Sequence, residues 1–169
     1  MGVTILSGPI GAGKTTVARE LLARLPAPVS YIEGDTFWSF IAKPHSRDRR
    51  EVFQVIMRSV TAAAIPLARS GYEGLIDFSI PPQFLGTARK ILKEVPLNYV
   101  AVRPSLAVCE ARAAARSEGR ISNYAAYRDF YALFEEGPPI HAVCDDEADA
   151  HAIAARIFEG LNSGKFVVG

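Results

Sequence analysis

At 169 residues, 49% of them hydrophobic, the chain can bury one substantial core, and a single domain over 1–169 is the expectation. A formal net charge of +1 leaves no global electrostatic footprint for nucleic acid or an acidic membrane, and no apolar stretch of membrane-spanning length is read, so neither partner is expected. Cys109 and Cys144 stand far apart, which excludes a disulfide framework or a zinc site; both read as small buried residues, and without a signal-type leader the chain reads as cytosolic.

The first element is an apolar strand over 3–7. It runs directly into Gly8-Pro9-Ile10-Gly11-Ala12-Gly13-Lys14-Thr15, a full GxxxxGK[ST] phosphate-binding loop, and then into a helix over 13–25 with apolar residues at helical spacing. The chemistry follows from the residue types. Gly8, Gly11 and Gly13 let the backbone approach a polyanion and take unusual angles, and Ala12 keeps the loop slim. Successive N–H groups from Gly8 through Thr16 then face the anion at a helix N-terminus, Lys14 reaches the outer phosphates, and Thr15 offers a hydroxyl to Mg²⁺.

Further strands are expected over 29–33, 75–80, 97–103 and 140–144. Helices are expected over 47–70, 83–95, 105–118, 124–134 and 147–161, with Pro or Gly at most junctions. Alternation of this kind predicts a doubly wound α/β fold, a three-layer α/β/α arrangement around a five-stranded parallel sheet. Asn162-Ser163-Gly164 reads as a helix stop, so the tail from Gly160 to Gly169 is expected to be loosely held.

In such a sheet ligands bind beyond the carboxyl ends of the strands, which directs attention to polar residues there. Asp35 follows the second strand and either accepts a proton from an attacking hydroxyl or caps the short segment 36–41. Asp77 ends the third strand and either joins the Mg²⁺ shell or substrate, or caps the turn toward Pro81 and Pro82. Phe78 stands where a motor ATPase places a glutamate, which argues against that class. Arg112, Arg116 and Arg120 recur every fourth residue; they form either one edge of a helix leading to a lid that clamps phosphates, or a solvated face.

This combination resembles the small P-loop kinases, the group of adenylate, shikimate and gluconate kinases. The long helix 47–70, the Gly71-Tyr72-Glu73-Gly74 turn and a very short arginine-bearing lid are most similar to chloramphenicol phosphotransferase and zeta-toxin-type kinases. The resemblance implies ATP and Mg²⁺ as cofactors, phosphates held by Lys14 and the loop, metal held by Thr15 and Asp77, and Asp35 as base. It also implies Arg112 near adenine, with Arg116 and Arg120 on the transferring group. The expected activity is transfer of the γ-phosphate to a hydroxyl of a small-molecule acceptor, such as an antibiotic, sugar or sugar nucleotide. The alternatives are an ATP-binding regulatory protein and a polynucleotide 5′-hydroxyl kinase. A GTPase is disfavoured because none of Asn98, Asn123 and Asn162 precedes lysine.

The segment 36–45 matches no acceptor-specific motif. Its Phe37, Trp38 and Phe40 read either as core or as a pocket wall beside Asp35, with Lys43, Arg47, Arg49 and Arg50 as nearby cations. Tyr127, Phe130 and Tyr131 are placed to close over the acceptor or to pack, and His45, His141 and His151 receive no chemistry.

Overall fold

The computed structural model describes residues 1–43, 48–117 and 119–169. Strands β1 (Val3–Ser7), β2 (Val29–Glu33), β3 (Glu73–Asp77), β4 (Leu97–Val102) and β5 (Ala142–Val143) form a five-stranded sheet in the order β2-β3-β1-β4-β5. All pairings among them are parallel; Leu6 stands opposite Asp77 on one side and Val100 on the other. β1 is buried along its whole length, as a strand covered on both faces must be, and this is why it reads as one apolar run.

Helices α1 (Lys14–Leu22), α2 (Arg49–Arg69), α3 (Leu85–Leu92), α4 (Leu106–Ala114), α5 (Ala125–Ala132) and α6 (Ala150–Asn162) complete the three-layer α/β/α fold. One apolar cluster joins Ile5 and Ile76 to Ile56, Val60 and Leu92 from α2 and α3. The other joins Leu6, Leu75 and Val100 to Leu21 and Ile157 from α1 and α6. Alternate residues of each central strand thus feed opposite layers.

Caps start several helices where the sequence predicts starts. Asp48 accepts from the Arg50 N–H (2.8 Å), Ser105 from Val108 (3.4 Å) and Asp149 from Ala152 (2.8 Å). Expected boundaries shift inward at most ends. The largest difference is α4, which stops at Ala114, so Arg116 and Arg120 leave the helical register expected for them; Arg47 and Glu118 lie outside the described residues.

Three further expectations are corrected. The C-terminal tail is docked: Phe166 is 1% exposed and fills the space left by the missing Cβ of Gly160. Its carbonyl accepts from the Tyr99 N–H (2.9 Å), the Val168 N–H donates to the Leu97 carbonyl (2.9 Å), and Val167 bridges Asn98 antiparallel. β5 pairs only with Ala101 and Val102, so the first half of β4 is left an open edge, and the tail covers it. Cys144 is exposed, unlike Cys109. Finally, α2 is long and apolar enough by length and mean hydropathy (1.3) to cross a membrane; here its Val52, Ile56, Val60 and Ala64 stripe is core.

Candidate active site

The loop between β1 and α1 owes its shape to backbone that only glycine tolerates. Gly8, Gly11 and Gly13 have φ of 145°, 84° and 88°. A Cβ on Gly8 would collide with the Val102 carbonyl, and one on Gly11 with the Cys109 carbonyl, so β4 and α4 press the loop from behind. Gly13 is the α1 N-cap without a side-chain cap bond, leaving the first N–H groups of α1 for a ligand. Ala12 is buried within the loop, and Thr16, in the first turn of α1, is exposed.

Lys14 folds over this loop and its Nζ donates to the Pro9 carbonyl (3.2 Å). Burial pushes its pKa below the usual lysine value; Asp77 and then Asp35 pull it back up, and Arg116 pushes it down. Both predicted carboxylates and one predicted arginine therefore lie within electrostatic reach of one ammonium group. Beneath the loop, burial pushes the Cys109 thiol up to about 11 despite Lys14 and Arg112, which keeps it neutral at ordinary pH.

Thr15 and Asp77 meet directly: Thr15 Oγ1 donates to Asp77 Oδ2 at 2.8 Å. The register of β1 against β3 brings this about, since Leu6 opposite Asp77 sets the carboxylate level with the loop that leaves β1. Asp77 is 4% exposed and does not cap the turn toward Pro81; its Oδ2 accepts a second bond from the Tyr31 hydroxyl (3.1 Å). Tyr31 was not singled out in the sequence. Its pKa is raised, first by burial and then by Asp77, so it remains a donor. One buried carboxylate beside one hydroxyl, both hard oxygen donors, fits Mg²⁺, which keeps water and takes its other ligands from phosphates. Among the described residues no three or more His, Cys, Asp or Glu converge as an all-protein cage would require.

Asp35 lies in the 3-10 helix Gly34–Phe40, exposed on its first turn. Glu33 is the N-cap residue and makes no side-chain cap bond, so the capping reading of Asp35 is set aside. Gly34 has no room for a side chain because Phe78 occupies that space, and this contact fixes the start of the 3-10 helix against the end of β3.

The arginines do not share one face. Arg112 Nη1 donates to the Ala12 carbonyl (3.4 Å), and its charge helps to depress the Asp146 pKa, so it spans the loop and the turn after β5. Arg116 and Arg120 are exposed in the connection to α5, which returns to α4 through the Ile121 N–H and the Ala113 carbonyl (3.1 Å). A second tyrosine missed in the sequence, Tyr124, anchors this connection by donating to the Ile10 carbonyl (2.6 Å). Neither carries a sequence signal; what they share is a hydroxyl that donates into the site, to Asp77 and to the Ile10 carbonyl.

An open cavity of about 530 Å³ is lined by Ser105, Cys144, Asp145, Asp146 and Glu147. Asp146 accepts from the Ser105 N–H (2.6 Å), and Asp145 accepts from Glu147 and Ala148 N–H groups and from Arg156, bonds that hold both carboxyls below their usual pKa.

Of the acceptor-side aromatics, Phe37 and Trp38 are half-buried against the core, whereas Phe40 is 72% exposed. Arg49 lies over the Trp38 ring at 5.2 Å; Arg50 and Lys43 are exposed. Tyr131 packs, donating to the Pro104 carbonyl (2.9 Å), and Tyr127 meets Tyr124. His45 and Arg47 lie outside the described residues; His151 sits between Glu20 and Arg24 on the far surface.

Comparison with solved structures gives the same fold at low identity. A sugar kinase from Janibacter sp. HTCC2649 superposes with a TM-score of 0.72 at 19% identity, covering 96% of this chain and 95% of that one. The tunicamycin resistance protein of Deinococcus radiodurans gives 0.73 at 16% identity over 100% and 99%. The APS kinase of Mycobacterium tuberculosis, solved with AMPPNP and APS, gives 0.68 at 21% identity over 95% and 98%. Comparison with curated proteins gives no match. Residues 3–135, from β1 through the loop, the Asp77 strand and α5, match the family described as AAA domain (AAA_33), and the chain, with the fold of the small P-loop kinases, belongs to that family.

Proposed function

We propose that this protein is an ATP-dependent phosphotransferase that moves the γ-phosphate to a hydroxyl of a small-molecule acceptor. The observation that carries the reading is the 2.8 Å contact of Thr15 with buried Asp77, beside a lysine within reach of both Asp77 and Asp35. A purely nucleotide-sensing module needs no carboxylate at position 35. The kinases among the structural neighbours support the same class.

In this reading the loop amides from Gly8 to Thr16 receive the phosphates, and Lys14 exchanges the Pro9 carbonyl for phosphate oxygens. Arg112 and the turn at Asp145 and Asp146 flank the nucleobase. Thr15 and Asp77 hold Mg²⁺, which supplies charge neutralisation on the phosphates. Asp35 takes the proton of the acceptor hydroxyl as its oxygen bonds to the γ-phosphorus; the bond to the bridging oxygen breaks and ADP leaves. Arg116 and Arg120 compensate charge on the transferring group, so catalysis rests on positioning and electrostatics. The reading takes 1–169 as one catalytic domain in a reducing compartment such as the cytosol, consistent with unpaired Cys109 and Cys144.

The test is incubation with γ-labelled ATP and Mg²⁺ against antibiotics, sugars, sugar nucleotides, nucleosides and oligonucleotides. Label is expected in a small-molecule acceptor, and Asp35→Asn should lower transfer by about 10²–10⁴-fold while ATP binding measured by calorimetry persists. Normal turnover by the Asp35→Asn protein would remove the base assignment. Tight ATP binding with no labelled acceptor would favour the regulatory reading, and label on oligonucleotides, with binding that falls steeply as salt rises, the polynucleotide one.

A further inference from the structure

Ser7, the last residue of β1, carries a fully buried hydroxyl that the proposed mechanism does not use. Strand alternation puts it on the same face as Ile5, toward the apolar layer of α2 and α3, where an unbonded hydroxyl would be costly. Both of its bonds go to one residue 73 positions away: Ser7 Oγ donates to the Ile80 carbonyl (2.7 Å) and accepts from the Ile80 N–H (2.8 Å). The Tyr99 hydroxyl, also buried, donates to the same carbonyl (2.8 Å). Burial raises the Tyr99 pKa, so it remains a donor.

These bonds stand where the sheet ladder runs out. β1 pairs with β3 as far as Leu6 opposite Asp77, then continues beside β4 with Ser7 opposite Ala101. Beyond Asp77 the chain turns toward Pro81, and the Phe78 N–H reaches back to the Leu6 carbonyl at 3.3 Å. Ile80 does not need Ser7 to satisfy its backbone: its N–H also reaches the Phe78 carbonyl (2.8 Å), and its carbonyl keeps Tyr99. The Ser7 hydroxyl therefore adds position more than satisfaction. On one side of this joint Gly8 opens the phosphate loop. On the other, the turn follows Asp77 and carries Phe78, whose ring occupies the space beside Gly34, the residue before Asp35. We infer that Ser7 is a positioning residue: by fastening the turn after β3 to the residue that opens the phosphate loop, it sets the Thr15–Asp77 pair and, through Phe78, Asp35 relative to that loop. This rests on the phosphotransfer reading above and deepens it with a residue that works without touching the reactants.

The experiment measures ATP binding by calorimetry in EDTA and in saturating Mg²⁺, label transfer across the acceptor panel, and Tm. Thr61→Val is the control, because Thr61 is a buried hydroxyl that bonds the Met57 carbonyl within α2 (2.8 Å). Ser7→Ala and Thr61→Val should each lower Tm by about 2–4 °C, as loss of one buried hydrogen bond does in a chain of this size. Ser7→Ala alone should cut the strengthening of ATP binding by Mg²⁺ about fivefold and kcat about tenfold, with metal-free ATP binding unchanged. Ser7→Thr, which keeps the hydroxyl, should restore both. Tyr99→Phe, which removes one bond to Ile80 and keeps the ring, should move both readouts the same way by less.

A Ser7→Ala protein with the Tm loss of Thr61→Val but the Mg²⁺ strengthening and kcat of the parent overturns the inference and leaves the phosphotransfer reading standing. Should Ser7→Ala fail to fold, parent-like Mg²⁺ strengthening in Tyr99→Phe overturns it in the same way. If Ser7→Ala diminishes the Mg²⁺ strengthening while no label moves to any acceptor even with the parent, the positioning role stands and the regulatory reading replaces phosphotransfer.

Discussion

The phosphate loop and the aromatic cluster that starts at Phe78 are built by different means. The loop is backbone: three glycines at positive φ, carbonyls of Val102 and Cys109 pressed against two of them, and a helix N-terminus left uncapped. Its glycines and helix start are consecutive in sequence, and in the proposed reading they would serve any polyphosphate. The aromatic cluster is side chain: Phe53 stacks on Phe78 and meets Phe84 and Phe130 edge-on, rings that arrive from separate elements. Contiguous backbone thus shapes the loop, whereas the aromatic cluster is assembled from residues that only the fold brings together.

Lys14→Met is the substitution that should separate the two sides most widely. It removes the cation from the loop and leaves the aromatic side untouched, so transfer should fall by about 10³-fold or more. Stability should move the other way. Because burial lowers the Lys14 pKa, the folded state disfavours the charged form; that penalty is present at neutral pH and is relieved only as pH rises through the lowered value toward 10.5. The Met variant should therefore melt at the same temperature as the parent or higher near pH 7. A clear fall in Tm would mean that Lys14 holds the loop together through the Pro9 carbonyl instead of waiting for phosphate.

Gly34→Ala probes the junction of the two sides. A new Cβ would stand 2.5 Å from Cβ and Cγ of Phe78, so either Phe78 shifts or the 3-10 helix bearing Asp35 does. Overpacking of this kind costs about 1–3 kcal/mol, which calorimetry would read as a fall in Tm of about 2–4 °C per kcal/mol for a chain of this size. Turnover should drop further than stability requires, with ATP binding little changed, because Asp35 moves while the loop does not. Loss of both in parallel would show that the two sides respond as one rigid unit.

The same division explains what the sequence revealed. The loop, all five strands and the doubly wound alternation were legible because each is written in local pattern: glycine spacing, apolar runs and caps. Asp77 was found as a strand-end acid, but its contact with Thr15 depends on the β1–β3 register, which no local pattern states. The arginine periodicity misled because α4 ends at Ala114, where the chain turns back through Ile121; an alanine-rich run carries no stop signal before Gly119. The polar Asn-Ser-Gly turn reads as an end, and the docking of the tail beyond it depends on contacts that local pattern does not state. Phe166 and Gly160 form a knob and hole six residues apart, and the edge of β4 they cover is open only because β5 is two residues long. Tyr31 and Tyr124 were missed since a tyrosine signals nothing by spacing.

Tyr31 offers the finest test of the comparison, because it stands on the edge strand β2 yet bonds the carboxylate proposed for the metal. Asp77 Oδ2 accepts from both Thr15 and Tyr31, and a hydroxyl bond to a carboxylate is worth about 1–3 kcal/mol. Tyr31→Phe removes that bond and nothing else of the ring's packing. If Tyr31 orients Asp77 for the metal, the Mg²⁺ concentration giving half-maximal transfer should rise about five- to tenfold, and kcat at saturating Mg²⁺ should change far less. Were Tyr31 only filling space at the edge of β2, the Mg²⁺ titration would overlay that of the parent, and the division between a backbone-built phosphate loop and a side-chain-built aromatic cluster would hold without exception. A shifted titration would instead mean that one side chain of β2 also tunes the phosphate side.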